Sequence, residues 1–319
     1  MNPKKLFVLL GLTAATLAAI TAGCQQTPAT APALTVGELT TYKVTTTSER
    51  ILEFKGSLAE NEGLKGGHTS KTVELVFTSD VLSADEQGNA TAEITIKQLS
   101  YFSQVKDRPY LRFDSTKDDI SSSLGQLIGQ SYRIEIAPDG QVTKVIDASE
   151  ARAAVKGVTP ANKAAQHILQ SEVIMHIHSF PGVASDKINK LQPGDSWTDT
   201  KSFFLGMLGT KSYERTYTVD KITEADSHNI AVIQMQAVAL DATGRQQDDD
   251  ASGDLSDSPV ESESFSGLLE FDLTNGKVKR YSERLETQWV MADPQAQNEP
   301  EPDAFVMGIG RSYSIVRID

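Results

Sequence analysis

Two histidines, His176 and His178, stand two positions apart and are the first candidates for chemistry. On a strand they would share a face and could grip one ion. On a helix, at about 100° per residue, they point about 200° apart. Thr159-Pro160 opens a helical pattern, with proline at the first position where its missing N–H is harmless. Ala165, Ile168, Leu169, Val173 and His176 form its apolar side, and Phe180-Pro181-Gly182 ends it. The pair is therefore expected at the end of one long helix, in favourable contact with the negative end of its dipole. No metal site is expected there, and His68, His167 and His228 lack ligand spacing as well. The acidic run from Arg245 to Glu263 carries Asp248, Asp249, Asp250, Asp254, Asp257, Glu261 and Glu263 without the residue order of a calcium loop. A solvated loop is the expectation. Gly63, Gly66 and Gly67 lack phosphate-cradle spacing and read as a turn. Neither G-x-S-x-G nor H-E-x-x-H occurs. No catalytic, cofactor-binding or metal residue is assigned, and a non-enzymatic role is expected; an acid/base hydrolase is the enzymatic alternative.

Cys24 is the single cysteine of the chain. Ahead of it, Lys4 and Lys5 give a positive start, Leu6 to Ile20 run without a charge, and Thr21-Ala22-Gly23 are small. That is the layout of a secretory signal. As a helix, Leu6–Ile20 would reach roughly 22 Å, short of a hydrocarbon core of about 30 Å, so a retained membrane span is the weaker alternative. The stretch resembles the lipobox of bacterial lipoproteins, with Thr21 where that family usually has leucine. The resemblance implies cleavage between Gly23 and Cys24, a diacylglyceryl group on the Cys24 thiol, and an acylated amino terminus of the palmitate kind. Several chains hold a protein at a membrane stably where one does not. Gln25 after the cysteine implies sorting to the outer membrane. The implied location is the bacterial cell envelope, on the periplasmic face of the outer membrane or the cell surface.

The 319 residues carry a formal charge of −13, which argues against a nucleic-acid partner and against a basic patch for anionic lipid headgroups. One cysteine excludes an internal disulfide. Residues 24–40, rich in Thr, Ala and Pro, with Pro28 and Pro32, read as a tether. Residues 41–319 then form one β-rich domain, its halves at about 41–157 and 195–319 joined by a helical segment.

Period-two alternation dominates that domain. It places Tyr42, Val44, Leu52 and Phe54 on one face, then Val73, Leu75 and Phe77, then Ala92, Ile94 and Ile96. Short links between these runs predict an antiparallel meander. Ser115, Asp118 and the stripe Ile120, Leu124, Leu127 and Ile128 predict a helix closed by Gly129. Tyr132, Ile134 and Ile136 lead into a Pro138-Asp139-Gly140 turn, with Val142 and Ile146 on the return. Asp147 and Glu150 open a short helix through Ala151, Ala154 and Val155 to Gly157. Trp197, Phe203, Phe204, Leu205, Met207 and Leu208 form an apolar, loop-like run, read as core packing or as the mouth of an apolar cavity.

In the second half Tyr213, Tyr217 and Val219 alternate, and Ile230 to Leu240 is apolar on both parities, predicting a strand covered on both faces. Phe265, Leu269, Phe271 and Leu273 precede a Thr274-Asn275-Gly276 turn, and Tyr313, Ile315 and Ile318 close the chain. Both halves contain a Gly-x-Val turn, a hint of weak internal duplication.

The fold class expected is α+β and β-rich: a curved antiparallel sheet, a half-open barrel, wrapped around two or three helices. In pattern the chain resembles envelope lipoproteins of the LolA/LolB kind, which implies a concave apolar interior that holds acyl chains. Two functions follow as expectations. One is a membrane-anchored binding module for a lipid or other amphiphile. The other is a structural or assembly lipoprotein that offers a sheet edge or the acidic loop to a protein partner.

Overall fold

The computed structural model of the chain describes residues 34–61, 64–183, 190–206, 209–225, 227–240, 260–292 and 303–319. Gly23, Cys24 and the leader, residues 24–33 of the tether, Met207, Leu208 and nearly all of the acidic run lie outside the described residues. Among the described residues, the first half contributes β1 (Leu39–Lys55), β2 (Gly67–Ala84), β3 (Ala90–Val105), β4 (Arg108–Asp114), β5 (Ser131–Ile136) and β6 (Val142–Asp147). Three short helices follow: α1 (Ser149–Ala154), α2 (Pro160–Ile168) and α3 (Ser171–His178). The second half contributes β7 (Ser196–Phe204), β8 (Thr210–Ala225), β9 (His228–Leu240), β10 (Val260–Asp272), β11 (Lys277–Ala292) and β12 (Ala304–Arg317). No helix among these is long and apolar enough to cross a membrane.

All twelve strands share one antiparallel sheet, ordered β6-β5-β3-β2-β1-β12-β11-β10-β9-β8-β7, with β4 beside β3. Most strands pair with their neighbours in sequence, as in a meander; the exception is β4, which folds back beside β3 so that β5 also pairs with β3. The first half runs outward from the centre and the second runs back inward. Their meeting point is a long ladder between β1 and β12, from Tyr42 opposite Arg317 to Lys55 opposite Ala304. The expected alternation holds across it: Val44, Leu75, Ile94, Phe271, Tyr281 and Ile315 are all buried on one face.

Several expectations need correction. Residues 115–129 are turns closing in a single 3-10 turn at Gly125–Leu127, not a helix. Asp114 Oδ1 accepts from the Thr116 N–H, Asp119 Oδ1 from the Ser121 N–H, and Ser115 Oγ accepts from Leu99 N on β3. Short polar side chains here satisfy the backbone in non-helical ways, which is how they compete with helices. Leu124 and Leu127 are still buried, while Ile120 is exposed. The long helix is two. It breaks at Leu169–Gln170, where Gln170 is extended and Arg152 Nε donates to Leu169 O at 3.0 Å. Thr159 does cap α2, in a reciprocal pair with Asn162.

On β9 one face is covered throughout and the other only at its start: Ala231, Ile233 and Met235 are buried on the first and Ile230 on the second, but Val238 is 48% exposed. Of the run from Trp197, the part through Phe204 is strand β7 rather than loop, and Leu205 follows it. The two Gly-x-Val turns are not equivalent either. Pro138-Asp139-Gly140 joins the outer pair β5–β6, whereas Thr274-Asn275-Gly276 joins β10 and β11 near the centre. A tandem duplication would place them on matching ladders, so the topology gives that hint no support.

Candidate functional site

The candidate site is the concave face of the sheet, and its shape follows from three contacts. Strands stack about 4.8 Å apart, so a flat sheet would separate β7 from β11 by roughly 19 Å and β7 from β12 by roughly 24 Å. Instead Lys201 on β7 forms an ion pair with Glu283 on β11. Arg215 on β8 reaches the same carboxylate at 3.0 Å. Arg311 on β12 donates to the Phe204 carbonyl at the end of β7 at 3.1 Å. The second half is therefore rolled almost into a barrel, as the twist of long antiparallel strands permits.

Inside that roll lies a charge cluster. Arg215 donates through Nε and Nη2 to both oxygens of Asp199, at 2.6 and 2.7 Å, a bidentate fork. Its Nη1 meets Glu283 Oε2, which also accepts from Tyr281 Oη at 2.7 Å. The side chains of Arg215 and Glu283 are only 5% and 3% exposed. Burial pulls the Glu283 carboxyl upward, but Lys201 and Arg215 outweigh it and hold its pKa below the ordinary range. Burial likewise lowers Lys201, against the pull of Glu283. Two cations and two carboxylates balance, as a buried cluster must if it is to stay charged. Trp197 stacks on Tyr217 at one end of the cluster, with ring centroids 5.4 Å apart. At the other end Phe203, Tyr213 and Phe265 pack edge to face.

The first half of the concave face is apolar and is covered by α3. Tyr313 Oη donates to Ile177 O at 2.9 Å. His178 lies 2.6 Å from Tyr132 Oη through Nε2 and edge-on to Phe77. Burial alone pushes the His178 pKa down to about 3. After α3, the chain is clasped to the β5–β6 turn: Val142 N donates to Ser179 Oγ at 2.9 Å, and Phe180 N to Gly140 O at 3.3 Å. Between α3 and the sheet, beside Tyr42, Ile134 and Phe180, there remains a cavity of about 20 Å³, room for about one water. Glu38 and Lys277 close its rim as an ion pair. A separate, open groove of about 610 Å³ runs past Arg152, Gln166 and Glu172 on the helices.

The sequence-assigned residues fare unevenly. His176 and His178 do lie on one helix facing different ways: His178 into the apolar half, His176 toward Tyr313, Lys201 and Glu283. Their expected dipole contact as cations is corrected for both, because burial keeps each ring neutral, pushing His176 down to about 4 and His178 to about 3. Among the described residues, no group of three or more His, Cys, Asp or Glu side chains converges as a metal site would require. Phe203 and Leu205 are core, while Phe204 is 68% exposed. The charge cluster itself was not singled out. Its signal is present, however: Arg215 falls on the parity of Tyr213, Tyr217 and Val219, and Glu283 on that of Tyr281 and Leu285.

No family model matches the chain. No curated protein matches it significantly. A solved structure described as "Lipid-protein interactions in lipovitellin" aligns with 89% of this chain and 25% of its own, at 11% identity and a TM-score of 0.42. The chain spans a quarter of the length of that protein.

Proposed function

We propose that this chain is a lipid-anchored envelope protein, non-enzymatic, that binds a lipid or other amphiphile on the concave face of its sheet. The observation that carries the reading is the division of that face. One half, around Phe77, Ile94, Tyr132 and Ile134, is mainly apolar and lies under α3; the other encloses fixed charges. A long apolar tail with a polar end has complementary surfaces in the two halves. The cavity beneath α3 is about 20 Å³, so on this reading α3 stands where the tail would lie. Binding then requires α3 to move, as lids do in other carriers and enzymes. The anchor is read from Lys4 to Cys24 in the sequence. Replacing Cys24 with serine should abolish incorporation of a clickable palmitate analogue.

The test of binding is photolabelling in intact membranes with a fatty acid carrying a diazirine and an alkyne. Labelled peptides are expected from α3 and from inward positions of β2, β3 and β5, the strands it covers. Label confined to the amino-terminal peptide or to outward positions would overturn the reading. The filled interior favours a second reading, a partner strand added to a free sheet edge. Among the described residues β6, β7 and β4 carry such edges, β4 pairing with β3 alone, and Phe204 stands exposed at the end of β7. Cross-links from β7 to another protein, with no lipid label inside, would select it.

A further inference from the structure

Two cations on the concave face have no carboxylate partner. Lys71 on β2 and Arg311 on β12 both stand opposite Ser48 of β1, one on each side. They are thus two ladders apart, about 10 Å between Cα atoms, on the inward parity shared with Val73 and Tyr313. Among the described residues neither lies within ion-pair distance of any Asp or Glu. Lys71 Nζ instead meets His167 Nε2 at 3.0 Å. Arg311 gives one nitrogen to the Phe204 carbonyl, and its Nε is buried without a partner. His176 on α3 supplies no counter-charge to Arg311: burial, with Lys201 and Arg311 adding to it, pushes its pKa down to about 4.

Burying positive charge without a counter-charge is unfavourable. Burial lowers the pKa of both side chains, and for Lys71 the charge of Arg311 adds to the effect. Elsewhere on the same face Lys201 and Arg215 are matched by Glu283 and Asp199. In a chain of net charge −13, acidic side chains are plentiful, yet among the described residues none pairs with Lys71 or Arg311. A guanidinium with a free edge beside an ammonium suits a planar or tetrahedral oxyanion. We infer that Lys71 and Arg311 hold the anionic headgroup, a carboxylate or a phosphate monoester, of the amphiphile taken up by the concave face. The inference rests on the amphiphile reading above and adds to it the headgroup class.

The experiment compares a dansyl-labelled C11 carboxylic acid with its methyl ester on the full chain, kept soluble by an amphipathic polymer. The acid is expected to bind about tenfold more tightly than the ester, a difference of about 1.4 kcal/mol. Lys71→Gln and Arg311→Gln should each bring the acid close to the ester and leave the ester unchanged. Arg311→Lys, which keeps the charge, should recover most of the loss, and melting curves show whether each variant is folded. Equal binding of acid and ester to the unaltered chain would overturn the headgroup assignment alone. So would variants that are folded and weaken both probes alike. Binding of neither probe would overturn the amphiphile reading and this inference with it. Dodecyl phosphate should displace the acid well below the concentration at which inorganic phosphate does. Equal displacement would make this a site for a free anion and overturn the headgroup assignment.

Discussion

His178 enters the folded state as a neutral ring, and that has a measurable consequence. Its pKa is about 3 when folded, against about 6.5 in an unfolded chain. The unfolded state therefore takes up the proton first. The contribution of His178 is complete above about pH 6.5 and is lost as pH falls toward 3, by about 1.4 kcal/mol per pH unit. Glu283, also held below its ordinary value, adds a loss only in the carboxylate range, so the window from pH 6.5 to about 5 belongs to the histidines: His178 together with His176, pushed down to about 4, and His167, also lowered. His178→Phe should make urea-unfolding stability fall less steeply across that window, with His176 and His167 keeping the remaining slope. It should also lower stability at pH 7 by about 1–3 kcal/mol, because the Tyr132 hydroxyl loses its partner. An unchanged slope would show that another group titrates. At this scale the sequence was least legible. Lys71, Arg215, Glu283 and Arg311 are ordinary charged residues until their parity is compared with that of their neighbours. Alternation marks which face a side chain takes, but the partner that makes burial tolerable lies several strands away and leaves no local trace.

The elements were far easier to read. Strands with a dry and a wet face announce themselves by period two, and β1, β2, β3, β5 and β8 all begin or run where alternation places them. The PDG turn is equally plain, and its glycine is doubly required. Gly140 has φ +81°, and a Cβ there would come within 2.5 Å of Phe180 O. Gly140→Ala should destabilise the fold by more than about 1 kcal/mol. It should also loosen the clasp, so that amide exchange speeds up in residues 171–183 more than in β11; a uniform effect would refute the local role. Helices were the harder class. The stripe at Ile120, Leu124, Leu127 and Ile128 has the right spacing, yet Asp114, Ser115 and Asp119 bind the backbone first. The break between α2 and α3 was hidden because the donor that caps Leu169 is Arg152, on another helix.

For the whole molecule, the decisive feature is that β12 is paired on both sides, with β1 and with β11. Any proline in its middle loses a ladder bond whichever way its nitrogen points. Ser314→Pro is expected to cost about 3 kcal/mol or more and to unfold both halves in one transition, followed by circular dichroism and by tryptophan fluorescence. Two separate transitions would mean that the halves are independent. The sheet class and the presence of helices against it could be anticipated from pattern alone. The closeness of the roll could not, since curvature depends on contacts such as Lys201 with Glu283 that only the assembled sheet creates.

The β1–β12 seam also sets the order in which the chain can finish folding. β1 leaves the ribosome early, yet one of its two neighbours is made only after every other strand. Until then β1 offers a long unpaired margin, the kind of surface that recruits unintended strands. Contacts so distant along the chain also make for slow closure. The newborn protein is thus most vulnerable at what later becomes its middle.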